Sequence, residues 1–224
     1  MAIPASHLSS RREGVSSPLV KEKWNRWLPV LLMVMFALTR WPGLMPPNFS
    51  AAYALCFCAG VYFPRAQAWW LPLGALLLTD TLLNAFYYHV QIFSIYSLMN
   101  YLGYAVLILL GRKFNARSSW LKLLSGGILG AVLFYLITNT AAWIYEPTQP
   151  YPKTLSGWWQ ALTIGTAGWP ETWKFFRNTL LSGGLFTGLF AAAMKLTAES
   201  GKKATVEEAA EAEEAGPTPE ESKT

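Results

Sequence analysis

Asp80 interrupts an apolar run, Leu76-Leu-Leu-Thr-Asp80-Thr-Leu-Leu-Asn84. A carboxylate in such surroundings needs a cation or several hydrogen-bond donors. Asn84 lies four residues on, so a helix puts both side chains on one face. Arg40 and Arg177 are the two arginines free to meet it, and the expected structural pair is Asp80 with Arg177. The other reading makes Asp80 a direct ligand or proton-carrying group. Asn100 and Asn139 sit in two further apolar runs, where an amide either binds a polar ligand or locks two helices together. Thr138-Asn139-Thr140, with Trp143 after it, falls one to two turns from the end of its run. Phe176-Arg177-Asn178-Thr179 opens another, where free helix-terminal amides and Arg177 favour a carboxylate or phosphate, a lipid headgroup included.

Catalytic signatures are missing from this set. There is no G-x-S-x-G, H-E-x-x-H or P-loop pattern and no pair of acids on one helix, so an enzyme is not expected. Cys56 and Cys58 form a lone C-x-C pair in an apolar stretch, and the histidines are only His7 and His89. Neither a metal nor another cofactor is expected from these.

The elements that must position these residues follow from composition. Of 224 residues, 53% are hydrophobic and 14% charged, against about 25% charged in a typical soluble domain. Lipid covering most of the surface accounts for the shortage. The net charge of +5 hides two opposed parts. Thr197 to Thr224 carries eight Glu and three Lys, and the rest carries 15 basic residues against five acids. The basic residues flank apolar runs, which points to membrane orientation and not to nucleic acid.

Six segments approach the roughly 20 apolar residues of a spanning helix. They are Trp24 to Trp41, Ser50 to Phe63, Ala68 to Phe86, Ile92 to Gly111, Leu121 to Tyr145 and Phe175 to Leu196. The second is too short to span with ease and reads as a short buried or re-entrant helix. Thr154 to Trp169 reads as an interfacial segment on the outer surface. With the N-terminus inside, 13 of the Lys and Arg up to residue 203 fall on the inner side and four on the outer, so both termini are predicted in the cytoplasm. Residues 1–26 are polar, and no secretory signal is expected at the start. The predicted fold is an all-α polytopic bundle of about six helices in the bacterial inner (plasma) membrane. A basic cytoplasmic segment without fixed structure occupies 1–23, the membrane domain 24–196 and an acidic tail without fixed structure 197–224. Gly126-x-x-x-Gly130 and Gly184-x-x-x-Gly188-x-x-x-Ala192 are small-residue spacings that let helices approach, within the chain or against a partner.

Pro46-Pro-Asn48-Phe-Ser50, the short run Ala51 to Phe63, and Pro72-Leu-Gly-Ala-Leu-Leu-Leu-Thr-Asp80 resemble the opening half of the substrate-binding (S) components of ECF transporters. The closer likeness is to an uncharacterised bacterial membrane family that itself resembles S components, which Thr138-Asn139, Tyr151-Pro-Lys-Thr-Leu155 and Phe176-Arg-Asn-Thr-Leu180 also fit. The resemblance spans residues 40 to 195. It implies six helices with inner termini, uptake of a vitamin or metal-related micronutrient, and an energising module with two ATPases as partner. It places the ligand below the loops at 41–50 and 146–174, lined by Asn48, Asn139, Trp143, Arg177 and Asn178. Where S components present an Ala-x-x-x-Ala stripe in the first helix, Val30 to Leu38 has Ala37 alone. The alternative is a non-transporting scaffold or accessory subunit of a larger membrane complex, joined through its glycine seams and acidic tail.

Overall fold

A computed structural model describes residues 34–145 and 150–214. Helical residues 34–40 (α1) lead through a loop to α2 (Ala52–Tyr62) and α3 (Gln67–Leu83), which a π-helical turn prolongs over Asn84–Tyr88. Then come α4 (Ile95–Gly111), α5 (Trp120–Tyr145), the short α6 (Leu155–Leu162) and α7 (Thr172–Glu214). The described residues are all-helical, without a strand. The basic segment 1–23, the start of the first predicted helix and residues 215–224 lie outside the described residues.

α2 is the centre of the bundle, enclosed by α3, α4, α5 and α7. Every residue from Ala52 to Gly60 is buried. It is apolar on all sides because it has no solvent side, and at 11 residues it reaches about 16 Å at ~1.5 Å per residue. Of the two readings left open for this run, the structure holds the short buried helix. Tyr53 packs on Phe134 at 4.9 Å between ring centroids, Phe134 on Tyr104 at 4.7 Å, and Phe57 edge-on to Phe114 at 5.2 Å. These rings join α2 to α4, α5 and the α4–α5 turn.

Backbones approach most closely where glycine removes the side chain. A Cβ on Gly60 would lie 2.2 Å from the Ile108 carbonyl oxygen, and one on Gly111 2.1 Å from that of Phe57, so α2 and α4 meet backbone to backbone. Between α5 and α7, a Cβ on Gly127 would lie 2.2 Å from Thr187 Oγ1, and one on Gly183 2.8 Å from Ala131 Cβ. Gly126 makes room for Phe57 and Phe114, and Gly130 faces Leu107. The seam expected at Gly184, Gly188 and Ala192 is therefore displaced by one residue. Gly184 and Gly188 have only ordinary contacts, with Ile128 at 3.6 Å and Trp120 at 3.8 Å, and Ala192 is exposed.

Among the described residues, two helices are long and apolar enough to cross a membrane: α5, with 26 residues, and α7 over Thr172–Glu207. α3 and α4 have 17 residues each, about 25 Å at ~1.5 Å per residue. The outward faces of all four carry leucines that water would not cover favourably, among them Leu78 (62% exposed), Leu98 (60%), Leu121 (68%) and Leu181 (57%). α7 does not stop at Leu196. Thr197–Glu214, predicted to lack fixed structure, continues its helix, because Ala, Glu and Lys are strong helix formers and no proline intervenes before Pro217.

Candidate functional site

The candidate residues fall into two groups joined by the loop at 41–50. The first surrounds Asp80. Arg40, the last helical residue of α1, forms an ion pair with Asp80 Oδ1, and Tyr101 Oη from α4 donates to Oδ2 at 3.0 Å. The expected pairing with Arg177 is thus replaced by Arg40. The reason is topological: α3 packs on α2 and α4, whereas Arg177 belongs to α7, which packs on α2 and α5. Tyr101 carried no signal of its own in the sequence beyond its place in an apolar run. Asn84 begins the π-helical turn, and its carbonyl accepts the amides of His89 and Val90. His89 takes a left-handed backbone, φ 52°, and ends the helix there. Asn84 and Asn100 are half-buried, and their side chains make no hydrogen bond among the described residues.

The second group is the opposite wall of the same end. Thr39 closes the base of the 41–50 loop: its hydroxyl donates to the Phe36 carbonyl at 2.8 Å and accepts the Ala51 amide at 3.1 Å. Asn48 adopts φ 60°, a left-handed conformation that asparagine tolerates better than most residues. It contributes backbone and not side chain, its carbonyl accepting from Tyr53 Oη at 3.2 Å. One residue earlier, the Pro47 carbonyl accepts Asn178 Nδ2 at 2.9 Å, so the buried amide of α7 holds the loop down.

Asn139 and Trp143 lie one turn apart on α5. Asn139 Nδ2 donates to the Tyr135 carbonyl of its own helix at 2.9 Å and, among the described residues, locks no second helix. Trp143 Nε1 donates to the Pro152 carbonyl at 2.9 Å. Lys153, from the Tyr151-Pro-Lys-Thr-Leu155 loop, lies over the Trp143 ring 5.9 Å from its centroid. It donates to the Trp143 and Ile144 carbonyls, the open end of α5, where a cation suits the helix dipole. α6 lies against this wall: Trp158 Nε1 donates to Thr140 Oγ1 at 3.0 Å and Tyr135 Oη to the Leu162 carbonyl at 2.5 Å. Tyr135 also packs on Phe176 at 4.5 Å, which ties α5 to the first turns of α7.

The cations at this end differ in commitment. Arg40 is paired with Asp80, Lys153 is bonded to α5, and Lys174 Nζ lies 3.2 Å from Glu171 Oε2. Hydrogen bonds from Lys174 and then from the Trp173 indole (2.9 Å) hold the exposed Glu171 carboxyl below the usual carboxylate range. Arg177 is exposed, lies 5.7 Å from the Trp173 ring centroid and reaches Asn178 Oδ1 only at 3.4 and 3.5 Å. It is the least committed cation of this wall.

No curated protein matches the chain. The profile of DUF6580, a family of unknown function, matches residues 21–206, which takes in α1 to α6 and most of α7. The chain belongs to the DUF6580 family.

Proposed function

We propose that the chain is a six-helix protein of the bacterial inner membrane, with both termini in the cytoplasm, that holds a small anionic molecule at its outer end. In this reading it serves uptake in the manner of ECF S components, with a vitamin or micronutrient as ligand and an energising module as partner. The first helix, α2, α3, α4, α5 and α7 are the six. The leucine belt over α3, α4, α5 and α7 supports burial in lipid, and the basic residues of the α4–α5 turn support its inner position.

The single observation that carries the binding reading is that Arg177 is exposed and has no acidic partner among the described residues. It sits in the second turn of α7, beside Asn178, under the loop that Asn178 holds. Planar guanidinium donors suit a carboxylate or phosphate, and the positive end of the α7 dipole adds to the attraction. Asn139 and Trp143 complete the wall across the Tyr135–Phe176 contact.

A second reading, an accessory subunit of a larger membrane complex, is favoured by one feature. Gly184 and Gly188 are half-exposed and Ala192 is exposed, an outward strip of small residues that a partner helix can approach closely.

Native mass spectrometry of the protein purified in mild detergent, with small-molecule analysis of its denatured extract, tests both. A stoichiometric anionic ligand that disappears in Arg177→Ala supports binding. An empty protein held in a stable complex with other subunits supports the accessory role and sinks the first reading.

A further inference from the structure

Arg112, Lys113, Arg117 and Lys122 all point to the exterior of the turn between α4 and α5, with no acidic residue in the segment 111–125. None of the four enters an ion pair among the described residues; the ion pairs Arg40–Asp80 and Lys174–Glu171 are at the other end of the bundle. Four uncompensated cations over so short a segment repel one another, so the fold must hold them together.

It does so with a rigid turn. The amides of Lys113 and Phe114 donate to the carbonyls of Leu110 and Gly111 at 3.0 and 2.9 Å. Asn115 Oδ1 accepts the Arg117 amide at 2.8 Å, and the Asn115 carbonyl accepts that of Ser118 at 2.8 Å. Phe114 anchors the turn to α2 through Phe57, and Lys195 Nζ anchors it to α7 through the Ser118 carbonyl at 2.8 Å. Ser119 Oγ accepts the Lys122 amide at 3.3 Å and begins α5. The start of that 26-residue helix adds a partial positive charge, about half a unit, beside the four full ones. Next to them, Trp120 and Leu121 are 47% and 68% exposed, the combination of indole and alkyl surface that settles at a headgroup boundary.

We propose that this turn is a preformed platform for the phosphate of an anionic phospholipid headgroup. The cations meet the phosphate, and Trp120 and Leu121 meet the glycerol and the first acyl carbons. Because the turn is already ordered, little conformational freedom is lost on binding. Charge complementarity selects an anionic lipid, and the exposed apolar pair selects lipid over a soluble acid. The inference rests on α5 and α7 crossing a membrane; it is independent of any ligand near Arg177.

The test titrates the full-length protein in detergent with phosphatidylglycerol, diphosphatidylglycerol and phosphatidylcholine, reading bound lipid by native mass spectrometry. The expected result is at least about a tenfold preference for the anionic lipids, the scale set by juxtamembrane basic residues. The variant Arg112→Gln, Lys113→Gln, Arg117→Gln, Lys122→Gln should lose that preference while keeping its thermal unfolding midpoint, since all four side chains are exposed. Lys202→Gln with Lys203→Gln should keep the preference. An unchanged preference in the fourfold variant overturns the platform, as does displacement of the lipid by inorganic phosphate alone, which would mark a free-anion site. Release of the protein from membranes by alkaline carbonate would instead overturn the spanning of the membrane on which the inference rests.

Discussion

Arg40 and Asp80 join the end of α1 to the last turn of α3, and Tyr101 of α4 holds the carboxylate oxygen that Arg40 does not take. Three helices thus meet on one charge. Each partner keeps some exposure, 21% for Arg40 and 24% for Asp80. Removing one charge strands the other, which costs about 3–5 kcal/mol for a fully buried pair. Asp80→Ala should therefore lower stability by about 2 kcal/mol, with partial exposure taking up the rest. The double variant Arg40→Met, Asp80→Leu should recover most of that loss, since no charge is left unpaired. Arg177→Ala should change stability by less than about 0.5 kcal/mol. Thermal unfolding in detergent reads all three, and a loss in Arg177→Ala equal to that of Asp80→Ala would refute the assignment of the pair to Arg40.

The glycine contacts make a sharper contrast. Gly60→Ala and Gly111→Ala push a methyl into a backbone carbonyl, which cannot rotate away, so each should cost about 2–3 kcal/mol by overpacking. Gly184→Ala meets only ordinary contact with Ile128 and should be neutral or stabilising by up to ~1 kcal/mol through helix propensity. Unfolding midpoints of the three variants settle the order. A loss at Gly184 as large as that at Gly111 would mean that Gly184, and not Gly183, faces the tight contact between α5 and α7.

These two cases also mark what the sequence could and could not tell. The apolar runs announced α2 to α5 and the start of α7 within a few residues, because each helix is defined by its own local composition. The shortness of the Ser50–Phe63 run already pointed to a buried or re-entrant helix. The partner of Asp80 was not legible, since Arg40 and Arg177 are chemically equivalent and only the packing of α3 away from α7 separates them. The seam was misplaced for a similar reason. α5 carries Gly126-Gly127 and α7 carries Gly183-Gly184, so two registers one residue apart fit the same small-residue spacing. The helical continuation to Glu214 was hidden because the segment has no apolar face, although its residues favour helix. The capping of α5 by Lys153 depends on a loop returning to that helix end, which no local pattern encodes.

Glu171 gives a pH-dependent signal. Its carboxyl is held low first by Lys174 and next by the Trp173 indole. A carboxyl with a depressed folded value contributes its stabilisation above its unfolded value and loses it as pH falls through the folded one. The Trp173 indole N–H resonance should therefore hold steady from neutral pH through the ordinary glutamate range and shift only below it. Glu171→Gln should abolish the transition. A midpoint at or above the ordinary value would mean that the Lys174 and Trp173 bonds do not form in solution.

Asn178 provides the test of how the 41–50 loop is held. Its amide is buried and donates to Pro47 across a sequence separation of 131 residues, so it fixes the loop to α7 where no local bond can. The remaining ties, Thr39 to Ala51 and Tyr53 to the Asn48 carbonyl, hold the base and the far side. Asn178→Ala removes the central tie and leaves a carbonyl without its donor, a loss of about 1–2 kcal/mol. The effect should be local: amide exchange should quicken at residues 43–49 and stay unchanged in α2, whose helix bonds do not involve Asn178. Asn178→Asp keeps the size but loses the donor, so it should quicken exchange likewise, whereas Asn178→Gln, with a longer reach to the same carbonyl, should restore part of the protection. If exchange in the loop is the same in wild type and Asn178→Ala, the Thr39 and Tyr53 bonds and the Phe49–Phe186 ring contact hold the loop without Asn178, which is then free to serve a ligand together with Arg177.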